Sequence, residues 1–553
     1  MEPEPKTFTF YPANLQAAQL SALNQLDENQ FLPRLWQHDY TLWSDQPDEI
    51  TNRLDWLELP DSMMDKIDDL TRFAKELASS GFKTAVLLGM GGSSLAPEVF
   101  KKVFGPQPGF LDLVVLDTTD PVTIRNAQED LDLAKTVFIV ATKSGGTAET
   151  LSLFKYFYNQ LDADPQISTP GAQFVAITDS GSKLEKLAAD LGFRRTFLNN
   201  PNLGGRYSAL SDFGLVPAAC LGVDLKTLLS SAGSAGEQNN ATSSSADSPA
   251  AALGALIGAG FQVGVDKVTF ISSTEIAPFC DWVEQLIAES TGKIGKGILP
   301  VVGEPVPDDL SVYSQDRIFV IQQFGESPAL QKLSADLRSA GFPVVETHIQ
   351  SPYQLGELIL TWEIAIAIVG RLIGIHPFNQ PDVESAKVMA RKSVQAYMET
   401  GELPERMVKI ASAEKINAFV AKAKENDYIS LQAYLPMTPE IEALFRQMQA
   451  KLRDHYHHAV TFGFGPRFLH STGQLHKGDG GHGNFVQFVT SSSFDLDIPD
   501  QAGQPESGIS FDTLKQAQAI GDGAALEAKG RRLLVLSLDA PLTGSLTHLV
   551  ESL

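Results

Sequence analysis

The feature that most constrains the fold is a short apolar run that recurs along the first half of the chain, each copy followed by a helical stretch. The first run, Lys83–Gly89, ends in glycine and precedes a plausible helix at Leu95–Phe104. Continuous apolar runs that alternate with helices are typical of parallel strands buried on both faces of a sheet. The same pattern recurs at Leu113–Leu116, Thr136–Ala141 and Phe174–Thr178. It predicts a first α/β unit over about residues 56–230.

The alternation returns after a segment that lacks large apolar side chains. Leu229–Pro249 is rich in Ser, Ala and Gly, which predicts a flexible linker or a surface loop. Beyond it we expect three strands and a core helix, at Lys267–Ser272, Arg317–Gln323, Val344–Ile349 and Tyr353–Ile375. From about residue 400 two helices and two strands are expected, at Ala411–Glu425, Pro439–His458, Phe485–Thr490 and Leu533–Leu538.

These patterns predict an α/β protein with parallel sheets, and its 553 residues favour more than one domain. We expect two three-layer α/β/α domains, at residues 56–245 and 250–400. An N-terminal arm (1–55) precedes them, and a helical and mixed C-terminal segment (401–553) follows them.

Charge and cysteine content exclude several functional classes. The formal net charge of −24 argues against a sequence-independent grip on nucleic acid or on an anionic membrane. Cys220 and Cys280 are too few for a disulfide framework and show no metal-ligand spacing. No signal peptide is evident, and the long uncharged run 248–265 is mostly Ala and Gly. We therefore expect a cytoplasmic protein, in which a phosphorylated ligand would need a local positive site.

Two glycine-containing loops share one design. Gly89–Ser94 and Thr142–Thr147 each follow a predicted strand and open a helix. Glycines let backbone N–H groups approach an anion, the helix N-terminus adds positive partial charge, and the hydroxyls of Ser93, Ser144 and Thr147 can donate further hydrogen bonds. Each loop is also consistent with an ordinary tight turn. Because neither fits the dinucleotide or P-loop patterns, the pair predicts a site for a monophosphate.

Other charged residues are ambiguous when taken singly. Arg206 follows two glycines and could stabilise a developing oxyanion or form a structural ion pair. Glu289 lies near the end of a predicted helix, Asp281–Ser290, as either a base or a surface carboxylate. Six of the ten histidines lie between His455 and His482, but their spacing matches no recognised metal site.

Five motifs, taken together, resemble those of the glucose-6-phosphate isomerase family, which is built from two sugar-isomerase (SIS) domains. In the family's order they are G-M-G-G-S-S-L-A-P, T-K-S-G-G-T-A-E-T, G-G-R-Y-S-A-L-S, E-Q-L-I-A-E-S-T-G-K and P-F-N-Q-P-D-V-E-S-A-K. The resemblance covers nearly the whole chain. It is closest to the isomerase half of bifunctional transaldolase/glucose-6-phosphate isomerases, through W-Q-H-D-Y-T-L-W and F-L-H-S-T-G-Q-L-H-K-G. The stretch before the first α/β unit is too short for a transaldolase barrel of about 250 residues.

The resemblance implies roles for individual residues. Glu289 matches the base that moves a proton between C1 and C2, and Arg206 matches the residue that stabilises the cis-enediolate. Lys387 matches the lysine near the ring oxygen, and His470 matches the histidine that assists ring opening. The implied substrate-binding residues are Gly92, Ser93, Thr142, Lys143, Ser144, Thr147, Gln285 and Gln380.

The position of the histidine departs from the usual order. In many members it lies between the glutamate and the lysine, whereas His470 follows Lys387 by 83 residues. The segment resembles one that has moved along the chain, as in the bifunctional subgroup. His476 is the alternative candidate.

The resemblance implies an isomerase that interconverts glucose 6-phosphate and fructose 6-phosphate in glycolysis and gluconeogenesis, without a metal or cofactor. It also implies a homodimer, in which the histidine could come from the same subunit or across the interface. Two alternatives stay open. One is an isomerase that also accepts mannose 6-phosphate, and the other is a sugar-phosphate-binding SIS regulator without catalysis.

Overall fold

The N-terminal arm precedes the first sheet along the chain but packs on the second α/β unit. The computed structural model describes residues 7–492 and 494–553. The arm's regular elements are β1 (Phe8–Tyr11), α1 (Gln16–Glu28) and α2 (Phe31–Trp36). Helices α3 (Leu59–Ser62) and α4 (Ile67–Ser79) follow the arm and precede the first sheet. Trp43 from this arm donates its indole N–H to the carbonyl of Ala367, 2.8 Å away, which ties the arm to a helix more than 300 residues later.

The first sheet has five parallel strands in the spatial order β3-β2-β4-β5-β6. Its strands are β2 (Thr84–Gly89), β3 (Asp112–Leu116), β4 (Thr136–Ala141), β5 (Phe174–Asp179) and β6 (Arg195–Asn199). The helices between and after them are α5 (Leu95–Phe104), α6 (Pro121–Glu129), α7 (Ala148–Asp162), α8 (Lys183–Asp190), α9 (Asp212–Leu221) and α10 (Leu225–Gln238). The strands are buried on both faces, as their continuous apolar runs predict.

The prediction of a flexible linker or surface loop at Leu229–Pro249 is wrong for the first half of that segment. That half continues α10 to Gln238, and Leu229, Ala232 and Ala235 are buried. A later helix approaches this segment closely at Gly356, where an added Cβ would lie 2.1 Å from the carbonyl oxygen of Leu228 and 2.9 Å from the backbone nitrogen of Ala232. Low hydrophobicity therefore marks a tight helix interface in this segment.

The second sheet has four parallel strands and takes β1 antiparallel at its edge, in the order β1-β10-β9-β7-β8. Its further strands are β7 (Lys267–Ser272), β8 (Leu299–Val301), β9 (Arg317–Phe324) and β10 (Val344–Ile349). The associated helices are α11 (Pro249–Gln262), α12 (Phe279–Thr291), α13 (Pro328–Ser339), α14 (Leu355–Ile373) and α15 (Val383–Thr400). The first two sheets and the arm share one continuous apolar core.

The C-terminal segment contains a third sheet, with five parallel strands in the order β11-β17-β14-β12-β13. Its strands are β11 (Lys409–Ile410), β12 (Tyr428–Tyr434), β13 (Ala459–Phe464), β14 (Gly483–Val489) and β17 (Arg532–Ser537), beside a short antiparallel pair, β15 (Asp497–Ile498) and β16 (Ile509–Ser510). Its helices are α16 (Ala413–Val420), α17 (Pro439–Tyr456), α18 (Gly473–Gly478), α19 (Phe511–Ala528) and α20 (Leu542–Ser552). The α/β class with parallel sheets is confirmed, while the predicted domain bounds stay a prediction.

One C-terminal helix, α19, packs on both the third sheet and the first. Phe511 and Leu514 of α19 join the core on one face of the first sheet. Lys515 of α19 pairs with Asp120 at 2.9 Å, with both side chains fully buried. The C-terminal segment therefore reaches the end of the first sheet where its loops lie. Among the described residues, no helix is long and apolar enough to cross a membrane.

Candidate active site

The two glycine loops lie side by side at the carboxyl end of the first sheet. β2 and β4 are adjacent and parallel, so the loops that leave their carboxyl ends meet there. Gly91 and Gly145 adopt positive φ angles of 55° and 68°. An added Cβ on Gly145 would lie 2.4 Å from the backbone nitrogen of Leu184, which leaves space for glycine alone.

The second loop presents hydroxyls and backbone at the start of α7. The hydroxyls of Thr142 and Thr147 lie 2.8 Å apart, and Ser144 is exposed at the tip. The ammonium group of Lys143 points away, because it pairs with Asp179 and donates to the carbonyl of Pro201 at 2.8 Å. Lys143 can therefore contribute its backbone N–H to an anion in the loop, but not its charge.

The first loop packs against two other predicted site segments. An added Cβ on Gly92 would lie 2.0 Å from the carbonyl oxygen of Gly205, directly before Arg206. A Cβ on Gly91 would lie 2.7 Å from the carbonyl oxygen of His470. Ser93 is half-buried in the turn. The glycines of this loop thus bring Arg206 and His470 to the phosphate loops.

Arg206 is buried and held in one orientation. Its Nε donates to Ser290 Oγ at 2.7 Å, and one Nη donates to the carbonyls of Pro377 and Asn379 at 2.5 and 3.2 Å. The other Nη lies 3.6 Å from Glu289 Oε1. A permanent cation therefore stands beside a carboxylate with little freedom to move.

Glu289 lies in the last turn of α12, near the helix end as the sequence predicts, but its side chain is buried and not on the surface. The side-chain amide of Gln285, one turn earlier, donates to Glu289 Oε2 at 3.1 Å and to the carbonyl of His470 at 2.7 Å. Gln285 therefore joins the predicted base to the segment that carries the predicted histidine.

His470 pairs with the carboxylate of Glu149, which the sequence motifs do not mark as a site residue. Its Nε2 lies 2.9 Å from Oε1 of Glu149, in the first turn of α7. Burial alone would raise the pKa of Glu149, but the charge and hydrogen bond of His470 lower it to about 2. Glu149 is therefore ionised at neutral pH, so Nε2 carries the proton in this contact.

A cavity of about 460 Å³ lies beside this pair. Its wall includes Ser144, Thr147, Lys387 and His470, so it joins the phosphate loop to both predicted ring-opening residues. Arg206, Gln285 and Glu289 are not part of this wall, and the Gln285 amide connects Glu289 to the backbone of His470. Gln380 is exposed, at the end of the segment whose carbonyls hold Arg206.

His476 is packed as a structural residue. It is almost fully buried between the rings of Phe468 and Phe485, and burial lowers its pKa well below the ordinary value. Its Nδ1 lies 3.4 Å from the amide of Gln432 on the third sheet. Geometry therefore favours His470 as the histidine of this site.

Among the described residues, no group of three His, Cys, Asp or Glu side chains could hold a metal.

Three further side chains at the site were missed from the sequence. Glu149 lies two positions after Thr147, inside a motif that was recognised, so its place in the first helical turn was an available signal. Gln518 and Lys477 line the cavity from the C-terminal segment and lie in no phosphate-loop pattern. Lys477 pairs with Asp522 at 2.6 Å, and both are buried.

Comparisons with known proteins identify the family of the chain. The family model described as phosphoglucose isomerase matches residues 49–297. The chain is 31% identical to a "Probable glucose-6-phosphate isomerase" of Natronomonas pharaonis, over 57% of this chain and 80% of the relative. It is 29% identical to a glucose-6-phosphate isomerase of Synechococcus elongatus, over 59% of this chain and 68% of the relative.

Solved structures show the same fold. A hypothetical protein of Thermus thermophilus superposes with a TM-score of 0.58 at 25% identity, covering 70% of this chain and 99% of its own. A glucose-6-phosphate isomerase of Chlamydia trachomatis has a TM-score of 0.54 at 20% identity, covering 72% and 89%. The matched sequence contains both glycine loops, Arg206 and Glu289. The chain therefore belongs to the phosphoglucose isomerase family.

Proposed function

We propose that the chain interconverts D-glucose 6-phosphate and D-fructose 6-phosphate through ring opening and a cis-enediolate. The observation that carries the proposal is the amide of Gln285, which contacts both the Glu289 carboxylate and the backbone of His470. One carboxylate beside a fixed guanidinium, and one histidine beside a phosphate loop, are thereby held in a single cluster. Such a cluster contains the groups that ring opening and the proton transfer between C2 and C1 require.

Phosphate anchoring is assigned to the two loops. Ser93, Ser144 and Thr147 supply hydroxyls, while the backbone around Gly92, Thr142 and Lys143 supplies N–H groups. Because the phosphate is remote from C1 and C2, its binding energy positions the reacting atoms without taking part in the chemistry. Gln285 and Gln380 are assigned contacts with the sugar hydroxyls.

Ring opening is assigned to His470 and Lys387 on the cavity wall. The hydroxyl on C1 gives its proton to the neutral imidazole while the bond between C1 and the ring oxygen breaks. The ring oxygen takes a proton from the lysine ammonium group, which leaves an open-chain aldehyde. Glu149 stabilises the imidazolium that forms, since it already accepts the Nε2 proton.

Isomerisation is assigned to Glu289 and Arg206. Glu289 removes the proton from C2, and negative charge develops on the oxygen at C1, where the guanidinium offsets it. The proton of the C2 hydroxyl passes to that oxygen, and Glu289 returns its proton to C1, which leaves the ketone at C2. Each step uses side-chain acids and bases, so the scheme requires neither a metal nor a cofactor.

We also propose a cytoplasmic role in glycolysis and gluconeogenesis, and a homodimer. Family resemblance supports these proposals. The contact between His470 and Glu149 lies within one chain, so a dimer would not need to exchange the histidine.

The decisive test is turnover of fructose 6-phosphate in a coupled assay, with Glu289→Gln as the variant. We expect the variant to lose at least about a hundredfold in kcat, because a general base contributes at least that much. It should still bind 6-phosphogluconate, since the phosphate loops are intact. Turnover that survives in the variant would remove Glu289 as the base.

Glu284→Gln is the matched control on the same helix. Burial, with help from Asp281, raises the pKa of Glu284 to about 8, so the carboxyl is largely neutral at pH 7 and glutamine replaces it closely. Its side chain lines a different cavity, and activity should persist.

If the wild type binds sugar phosphates without turnover, the chain is a regulator. Equal turnover of mannose 6-phosphate would instead establish the broader isomerase.

A further inference from the structure

The side chain of Gln518 lies at the centre of a buried hydrogen-bond chain beside the proposed active site. Its Nε2 donates to Oε1 of Glu149 at 2.7 Å, and its Oε1 accepts from the Thr119 hydroxyl at 2.8 Å. The residue is 6% exposed and contributes to the cavity wall. Because an ionised carboxylate only accepts hydrogen bonds, the donating end of the amide must face Glu149.

The orientation of this amide is determined by its helix as well as by its hydrogen bonds. α19 is fixed to the first sheet by the buried pair Lys515–Asp120, one turn before Gln518. Lys515 also pairs with Asp512 at 2.9 Å, and Phe511 is embedded in the core of the first sheet. The amide of Gln518 is hydrogen-bonded at both ends and its helix is fixed, so the side chain has little conformational freedom left. It can therefore orient Glu149 at little further cost in entropy.

The same oxygen of Glu149 receives two donors. Gln518 Nε2 lies 2.7 Å from it and His470 Nε2 lies 2.9 Å from it. Since His470 uses Nε2 to donate, Nδ1 is the nitrogen that accepts in the neutral imidazole. Within the described part of the chain, Nδ1 has no hydrogen-bond partner, and His470 lines the cavity.

We propose that Gln518 is a positioning residue for ring opening: it fixes the Glu149 carboxylate so that the His470 proton stays on Nε2 and Nδ1 exchanges protons with the sugar. The inference rests on the proposed function, because it concerns the ring-opening half of that reaction. In this step the C1 hydroxyl gives its proton to Nδ1, the bond from C1 to the ring oxygen breaks, and Lys387 protonates the ring oxygen. The C-terminal segment thus contributes to the site through Gln518 as well as through His470.

Ring opening can be measured apart from isomerisation. Exchange between the α and β anomers of glucose 6-phosphate requires opening and closing of the ring, but no proton transfer at C2. Gln518→Leu should slow the enzyme-catalysed anomer exchange by about tenfold, because a hydrogen bond to an ionised group is lost. Magnetisation-exchange NMR measures that rate, and thermal unfolding checks that the variant is folded.

Gln516→Leu is the matched control, since it removes the same amide from the same helix. Gln516 donates to the carbonyl of Thr490, away from Glu149, at 2.7 Å. Its anomer exchange should equal that of the wild type. If both variants lose the same fraction of the rate, α19 matters only for stability and the proposal is wrong.

Gln518→Glu gives a readout that a merely structural role would not change. While the new carboxyl is protonated it can donate to Glu149, so exchange should be near the wild-type rate at low pH. Once it ionises, two carboxylates face each other and the rate should fall, which adds an alkaline limb to the pH profile. The other titratable groups facing Glu149 are His470, Lys387 and, from the third sheet, Tyr434. A profile that matches the wild type in shape would overturn the proposal.

The inference and the proposed function fail in different ways. Glu289→Gln should abolish isomerisation and leave anomer exchange in place. If Glu289→Gln behaves so, but Gln518→Leu exchanges anomers at the wild-type rate, only the role of Gln518 is refuted. If the wild type catalyses neither reaction, the proposed function is refuted as well.

Discussion

At the scale of single residues, the pairing of Glu149 with His470 predicts a specific dependence on pH. Glu149 has a pKa lowered from 4.5 to about 2, so its charged form is favoured in the folded state. Its contribution to stability is complete above about pH 4.5 and is lost as the pH falls toward 2. Urea unfolding of the wild type and Glu149→Gln should therefore differ most near neutral pH and converge in acid. A difference that grows on acidification would contradict the ion pair.

The same substitution predicts a change in catalysis. The neutral amide that replaces the carboxylate could still accept the Nε2 proton but would not stabilise an imidazolium, so kcat should fall about tenfold or more. Affinity for 6-phosphogluconate should be retained, because the hydroxyls of Ser144 and Thr147 are unaffected. Initial rates and an isothermal titration would measure the two effects separately.

A second residue-scale prediction concerns the fully buried pair Arg317–Glu304. One Nη of Arg317 lies 2.6 Å from the carboxylate, which also accepts the backbone N–H of Val460 in β13. Among the residues that the structure describes, Arg317→Leu would leave the buried Glu304 charge with Arg453, 3.9 Å away, as its cationic partner. We expect a loss of about 3–5 kcal/mol in the free energy of unfolding, measured by urea titration. The double variant with Glu304→Gln should recover part of that loss.

At the scale of elements, the contact between the first glycine loop and the Arg206 loop can be tested with a pair of glycine substitutions. A Cβ on Gly92 would lie 2.0 Å from the carbonyl oxygen of Gly205, whereas a Cβ on Gly205 meets nothing within 4 Å. Gly92→Ala should therefore displace Arg206 and cost about 1–3 kcal/mol in stability, with loss of kcat. Gly205→Ala should be near neutral in both measurements. Equal effects would show that this contact does not position Arg206.

The elements also show how far the sequence could predict the fold. The sequence predicts strands β2, β3 and β4 because their residues form nearly continuous apolar runs. β12 and β13 were missed, since Ser430 and Gln432 give β12 a polar face that no apolar run reveals. That face is buried, and Gln432 accepts from Gln487 on β14 at 3.3 Å. A buried polar face against α18 and α19 depends on tertiary packing, which local patterns do not encode.

Sequence alone likewise predicts only the part of the candidate site that lies in local motifs. The phosphate loops and Arg206 lie in local motifs, so sequence alone places them on a strand end and a turn. The contacts of His470 with Glu149 and of Gln518 with Glu149 span 321 and 369 residues. A single sequence holds no signal for such separations, although Glu149 itself lies in a recognised motif. The roles of these residues stay proposals.

At the scale of the whole molecule, the groups of the proposed site come from one chain. Glu289 and His470 are joined through Gln285 within that chain. A mixture of Glu289→Gln and His470→Ala, unfolded and refolded together, should therefore recover no activity. If the histidine came from a partner subunit, random pairing would restore about a quarter of the wild-type activity in a dimer. Recovery near that value would overturn the single-chain arrangement, and the wild type refolded alone serves as the control.

The packing of α19 on the first sheet has a consequence for biosynthesis. β6 ends at Asn199 and α19 ends at Ala528, so about 330 residues separate the last strand of that sheet from the helix that completes its core. At roughly 5–20 residues per second, a ribosome needs on the order of 15–65 s to cover that distance. Throughout this time the nascent first unit exposes the apolar surface that Phe511 and Leu514 later cover. The core of the first sheet is therefore completed only near the end of synthesis, when the chain also acquires His470 and Gln518 of the proposed site.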